Sequence, residues 1–181
     1  GLRLAEDGRQ RVLAALLGGT LVFLLGLADD KWRLSPGVKF LGQGVAALAA
    51  MAGGLQVGFA ATPGLGPVLT LLWIVGMTNA LNLLDIMDGL AAGIALVASL
   101  AFFGIGLPGE APDVNLVAIS LAGAALAFLR YNFFPARIFM GDAGSLYLGY
   151  MLSALALGAR YTEVNPAGLF APLLILGVPL F

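Results

Sequence analysis

The chain reads as an all-α protein, a polytopic bundle of transmembrane helices, and three observations say so. Only 10% of its 181 residues are charged while 60% are hydrophobic. A soluble domain carries about 25% charged residues, so this composition could not cover a water-facing surface. Mean hydropathy is +0.99. The apolar residues also run in stretches near the ~20 residues that cross a bilayer, rather than in the alternating pieces of ~10 residues that mark a membrane barrel.

In chain order the candidate spans are Val12–Ala28, Val38–Ala60, Gly66–Leu84, Leu90–Leu107, Val114–Leu129, Ser145–Ala159 and Gly168–Phe181. Turn-forming residues separate them: Ser35-Pro36-Gly37, Thr62-Pro63-Gly64, Pro108-Gly109, Phe134-Pro135 and Asn165-Pro166. Glycines inside the spans (Gly18-Gly19, Gly42, Gly44, Gly53-Gly54) suit the close helix packing found in lipid. No internal repeat or low-complexity tail is visible, so residues 1–181 read as one integral-membrane domain.

Alternating helices place the connections 29–39, 85–89 and 130–144 on one side of the membrane. That side receives Lys31, Arg33, Lys39, Arg130 and Arg137, whereas the opposite loops receive Arg160. The positive-inside tendency makes the first side cytoplasmic; Arg3, Arg9 and Arg11 oppose this and are discounted on the expectation that residues precede them. A net charge of −1 gives no basic field for nucleic acid, and there is no cysteine or histidine. Acid–base chemistry therefore falls to carboxylates, lysine or bound water. The polar start GLRLAEDGRQR is not a cleavable signal peptide.

Five of the ten acidic residues lie in three motifs on that cytoplasmic side. The first, LGLADDKWRLSPGVKFLGQ, carries Asp29, Asp30, Lys39 and Gln43. The second, NALNLLDIMDGL, spaces Asn79, Asn82, Asp85 and Asp88 three apart, so that neighbours in the series stay on adjacent parts of one helix face. The third, NFFPARIFMGDAGSLYLGY, brings Asp142 and Ser145 to the start of a span. Each also has a plain reading. Asp29-Asp30-Lys31 resembles a solvated helix end, the amides resemble packing groups, and Gly141–Ser145 resembles an N-cap. Arg130 and Arg137 suit interfacial anchors, and Trp32, Trp73, Tyr131, Phe133 and Phe134 suit an aromatic belt. Glu110, Asp113 and Glu163 read as solvated charges on the other face. Intramembrane acids, however, are functional candidates by default.

Carboxylates, amides and a lysine without softer ligands favour a hard cation. Mg²⁺ takes one or two carboxylates and leaves other positions to phosphate oxygens, with Mn²⁺ as the alternative ion. Lys39 supplies a point charge for phosphate, and the helix starts after Gly89 and Gly144 offer free N–H groups to an anion. The pattern reads as a magnesium–diphosphate site suited to phosphoryl transfer.

Taken together, the three motifs give the chain a family likeness. It resembles the polyprenyl-phosphate N-acetylhexosamine-1-phosphate transferases, with signatures of the form DD…LSPxxKxxxQ, NAxNxxDxxDGLAxG and NFxPAxIFMGDxGSxxLG in the right order over most of its length. PARIFMGD is more similar to the branch using UDP-N-acetylglucosamine or a related UDP-HexNAc; the phospho-N-acetylmuramoyl-pentapeptide transferases are the nearest relatives and the alternative reading. The resemblance implies transfer of a HexNAc-1-phosphate from a UDP-sugar to undecaprenyl or another polyprenyl phosphate, with release of UMP. The enzyme would sit in a bacterial plasma membrane with its active site facing the cytoplasm and make lipid-linked sugar for envelope polysaccharide. It further implies Asp29 or Asp30 as the group that deprotonates or aligns the lipid phosphate. Asp142 would ligate Mg²⁺ with Asn82 or Asp85. Asp85 and Asp88 would lie by the nucleotide diphosphate and Lys39 on the phosphates, while Asn79, Gly89 and Ser145 would complete the substrate pocket. A homodimer is compatible with this reading. Two departures stand out. Ile86 replaces the first glycine of the family's DGxDG, and the family continues past Val178-Pro179-Leu180-Phe181 with a further aspartate and a His/Arg-rich loop. The chain is therefore expected to be a fragment of a larger bundle, inactive by itself. The rival of another class is a cation- or proton-coupled transporter, whose acids would lie near the bilayer midplane.

Overall fold

The computed structural model describes residues 2–57, 64–107, 112–159 and 171–177, leaving aside the side chains of 2–7 and 171. Seven helices occupy them: α1 (Leu2–Trp32), α2 (Pro36–Ala52), α3 (Leu65–Leu84), α4 (Leu90–Gly106), α5 (Pro112–Asn132), α6 (Gly141–Gly158) and α7 (Ala171–Ile175). Among the described residues there is no strand, as the unbroken apolar runs require.

The centre of the bundle is α6. Thirteen of its 18 residues are buried, including Leu146, Tyr150, Met151 and Leu152, so it has protein around most of its circumference. It packs on α1 and α3, with α2 bridging those two and the α4–α5 pair completing the bundle. Helices α1, α3 and α5 are long and apolar enough to cross a membrane. They turn Leu17, Leu24, Leu72, Leu116 and Leu126 outward, the face that lipid covers. Glycines permit the tight crossings. A Cβ on Gly26 of α1 would lie 2.5 Å from the Cα of Ala143, and one on Gly149 of α6 would lie 2.7 Å from the Cα of Thr78 on α3. Cross-links from Trp73 Nε1 to the Ser153 carbonyl (3.3 Å) and from Tyr150 Oη to the Ala46 carbonyl (3.4 Å) tie α6 to its neighbours.

Several expected boundaries move. Helix α1 continues through the polar start to Leu2, because Glu, Gln and Arg are good helix formers that need no lipid. The second span ends at Ala52 rather than Ala60: Gly53 caps α2, and Gly54 adopts φ 86°, a left-handed conformation that glycine takes without steric cost. Residues 58–60 lie outside the described set. Helices α5 and α6 begin earlier than their apolar parts, at Pro112 and Gly141, since polar residues make good first turns. The last span is described only as the five-residue α7. The loop residues Glu110, Arg160 and Glu163 also fall outside the described residues.

Candidate active site

The ends of α1, α3 and α5 and the starts of α2, α4 and α6 meet at one end of the bundle, and side-chain hydrogen bonds show how closely. Asp30, near the end of α1, accepts from the backbone N–H of Asp142 (2.9 Å) and of Ala143 (3.1 Å). A remote carboxylate thus caps α6, satisfying donors that a helix start leaves unpaired and complementing its positive end. That cap fixes Asp142 in the first turn of α6.

Around Asp142 the motifs interlock. Lys39, in the second turn of α2, donates to Asp142 Oδ2 (2.8 Å) and to Asp29 Oδ2 (2.6 Å). Asn82, in the last turn of α3, donates through Nδ2 to Asp142 Oδ1 (3.0 Å) and to Ser145 Oγ (2.8 Å), and Ser145 donates to the Gly141 carbonyl (2.8 Å). Asp29 Oδ1 accepts from the N–H of Leu34 (2.6 Å), which holds the turn between α1 and α2. These two contacts of Lys39 are the ion pairs found among the described residues.

Two carboxyls are set in opposite directions. Burial alone would raise Asp142, but the hydrogen bonds from Lys39 and Asn82, together with the Lys39 charge, outweigh that and hold it near 2. Asp85, the cap residue at the end of α3, accepts no hydrogen bond from the described residues. Burial raises it, with repulsion from Asp142 and Asp30 added, to about 6. Asp85 thus shares a field with two other acids and has no hydrogen-bond partner among the described residues, a perturbation of the kind that marks a functional-site candidate.

A neighbouring patch organises the α3–α4 turn. Gly89 takes φ 74° and donates its N–H to Oδ1 of buried Asn132 (3.0 Å), whose Nδ2 donates to the Ile138 carbonyl (2.9 Å). Exposed Asp88 accepts from the N–H of Ala136 (2.9 Å). Together these bonds fasten the DIMDG turn to the FFPARIF loop. Deeper still, Asn79 donates to the Gln43 side chain (2.6 Å) and to the Val75 carbonyl (2.8 Å), locking α3 to α2 about one turn below Lys39 and Asn82.

The residues singled out from sequence therefore fall into three groups. Asp29, Asp30, Lys39, Asn82, Asp142 and Ser145 form one hydrogen-bonded cluster with Asp85 within its field. Asp88 and Gly89 serve the adjoining loop, and Asn79 lies underneath. Gln43 and Asn132 hold the arrangement yet were not picked out as site residues; for Gln43 the usable signal is its position four residues after Lys39, on the same helix face. Among the described residues no group of three or more Asp, Glu, His or Cys side chains closes on one point as a ready-made metal cage. The donor set nonetheless fits Mg²⁺. Asp85 carries no hydrogen bond from described residues, Asn82 Oδ1 is without a partner among them, and Mg²⁺ needs only one or two carboxylates when phosphate supplies further oxygens.

The sequence is similar to known proteins over most of the chain. Residues 12–160 match the model of glycosyl transferase family 4. The chain is 41% identical to a probable undecaprenyl-phosphate N-acetylglucosaminyl 1-phosphate transferase of Bacillus subtilis, over 94% of this chain and 50% of the relative. It is 39% identical to a decaprenyl-phosphate N-acetylglucosaminephosphotransferase of Mycobacterium tuberculosis, over 78% of this chain and 40% of the relative. A phospho-N-acetylmuramoyl-pentapeptide-transferase of Moorella thermoacetica is 48% identical over 55% of this chain and 31% of the relative. The chain thus spans about half, or less, of the length of these relatives.

Proposed function

The chain belongs to glycosyl transferase family 4, and from that premise we propose that the whole protein transfers N-acetylglucosamine-1-phosphate from a UDP-sugar to a polyprenyl phosphate. An oxygen of the lipid phosphate bonds to the β-phosphorus of the donor, the bond from that phosphorus to the UMP oxygen breaks, and UMP leaves. The observation that carries the reading is the convergence on Asp142 of Lys39 from α2 and Asn82 from α3, with Asp30 of α1 holding the α6 start. Three motifs remote in sequence thereby present carboxylates, an amide and an ammonium to one point at the membrane surface. The N-acetylglucosamine donor is favoured over the muramoyl-pentapeptide one because the Bacillus subtilis relative matches over 94% of this chain at 41% identity, whereas muramoyl-pentapeptide relatives match either a shorter stretch, 55% at 48% identity, or a longer one less closely, 80% at 36%.

In this reading Asp142, Asn82 and Asp85 hold Mg²⁺, which when bound neutralises diphosphate oxygens and so eases departure of UMP. Asp30 keeps Asp142 in place. Asp29 aligns the attacking lipid phosphate, and Lys39 meets the donor phosphates. Asp88 and Gly89, braced against the FFPARIF loop, border the nucleotide. In this reading the site faces the cytoplasm of a bacterium, an orientation that the excess of Lys and Arg in its loops supports.

The test uses the intact protein in detergent with a polyprenyl phosphate, Mg²⁺ and UDP-N-acetylglucosamine labelled in the sugar. Label should pass into the organic phase, and Asp142→Asn or EDTA should abolish the transfer. Transfer that survives Asp142→Asn undiminished, or no transfer from any UDP-HexNAc, would defeat the proposal. Cation flux in vesicles without transfer would point instead to a transporter.

A further inference from the structure

The position of Lys39 conflicts with the two duties just given to its surroundings. Its ammonium lies between Asp29 Oδ2 (2.6 Å) and Asp142 Oδ2 (2.8 Å). That is where a cation would neutralise the two carboxylates, and in that position the lysine spends two of its three donors inside the protein. A divalent ion drawn to Asp142 would meet a fixed positive charge in contact with the same carboxylate. A diphosphate would meet a lysine already paired.

Resting on the magnesium–diphosphate reading above, we infer that Lys39 is a resident counter-ion that the divalent cation displaces, and that displacement is what delivers the lysine to the phosphates. At rest the ammonium keeps Asp29 and Asp142 from repelling each other across the α1–α6 seam. The incoming ion carries two charges against one and takes over Asp142. The four-carbon stem of Lys39, on a side chain 22% exposed, lets the ammonium swing outward without moving α2. The same event frees Asp29 Oδ2, which Lys39 had occupied. Anion binding and ion binding then help one another, and by linkage the help is mutual. Asn82 does not move in this exchange, because its bonds run to Asp142 Oδ1 and Ser145 rather than to the lysine-bearing oxygen. Lys39 is thus more than a phosphate ligand: it couples loading of the metal to presentation of the anion site.

The proposal gives opposite signs for two affinities, which a merely structural lysine would not. Binding of Mn²⁺ to the intact detergent-purified protein is followed by the EPR signal of the free ion, and binding of UDP by calorimetry with and without Mn²⁺. Lys39→Met should bind Mn²⁺ about fivefold more tightly or better, the bulk-water worth of one unit charge at ~4 Å. The same variant should show a smaller Mn²⁺-dependent gain in UDP affinity, the remainder coming from contact of the ion with phosphate oxygens, and an undiminished gain overturns the exchange. Lys39→Arg, which keeps a charge on a flexible stem, should hold Mn²⁺ near the parent's affinity and serves if the methionine variant does not fold. Unchanged or weaker Mn²⁺ binding in folded Lys39→Met, or tighter binding in Lys39→Arg, overturns the exchange while leaving the proposed reaction standing. Failure of the parent to bind Mn²⁺ even with UDP present overturns both.

Discussion

Replacing Asp85 with Asn should stabilise the protein in the absence of metal, and only above a definite pH. Asp85 is a half-buried acid with no hydrogen bond from the described residues, raised from 3.8 to about 6 first by burial and then by the charges of Asp142 and Asp30. Because its folded value lies above its unfolded one, the folded state holds the proton longer. Ionised Asp85 therefore costs nothing below about 4, its cost grows as pH rises, and it is complete above about 6. At about 1.4 kcal/mol per tenfold change in proton affinity the ceiling is about 3 kcal/mol. Solvent screening at a half-buried position reduces this to about 1–1.5 kcal/mol. For a chain of this size that corresponds to a melting temperature about 2–6 °C higher for Asp85→Asn. The assay is thermal unfolding of the detergent-solubilised protein in EDTA at pH 8 and at pH 4.5, parent against variant. A gain at pH 8 that falls to about a third of its size at pH 4.5 is expected. Added Mg²⁺ at pH 8 should raise the parent's melting temperature and leave the variant's unchanged. A variant less stable than the parent at pH 8, or a shift independent of pH, would refute the account of Asp85 as an unpartnered acid kept for a cation.

Other positions give sharper structural tests. Asp30→Ala removes the cap of α6 and should cost about 1 kcal/mol in unfolding experiments; it should also weaken Mn²⁺ binding, since Asp142 loses its anchor. Asn132→Leu leaves the buried Gly89 N–H without its partner, a loss of about 1–3 kcal/mol, and releases the carbonyl of exposed Ile138, read together as a lower melting temperature. Gly26→Ala forces a methyl against the backbone of Ala143 and should destabilise by about 1–3 kcal/mol. Gly76→Ala, where nothing lies within 4 Å of the new carbon, should be neutral or mildly stabilising, and equal effects at the two glycines would contradict the helix crossing described.

Much of the fold is legible in the apolar runs because lipid demands it. A segment crossing hydrocarbon must be long, apolar and helical to satisfy its own backbone, and α1, α3 and α5 follow that rule, with α4 apolar but shorter. Helix α6 is less easily read as a span, as it carries Asp142, Ser145, Ser153 and two tyrosines in 18 residues. Its neighbours are protein, and protein tolerates polar atoms that it can pair. Boundaries fail at Gly53-Gly54, where one pair of glycines serves both a close helix approach and a helix end. Local sequence does not separate those uses.

The amino-acid sequence by itself determined the membrane bundle, the side on which the acids gather and the oxygen-rich chemistry of the site. These follow from hydropathy, helix alternation and ligand hardness, all of which act locally. Only the tertiary structure decided which acid does what. It gives Asp30 to the α6 start, pairs Asp29 with Lys39, holds Asp142 ionised and leaves Asp85 without a hydrogen-bond partner among the described residues. Neighbours in sequence such as Asp29 and Asp30 differ in role because helices remote in the chain supply their partners, and electrostatic energy depends on distances through space.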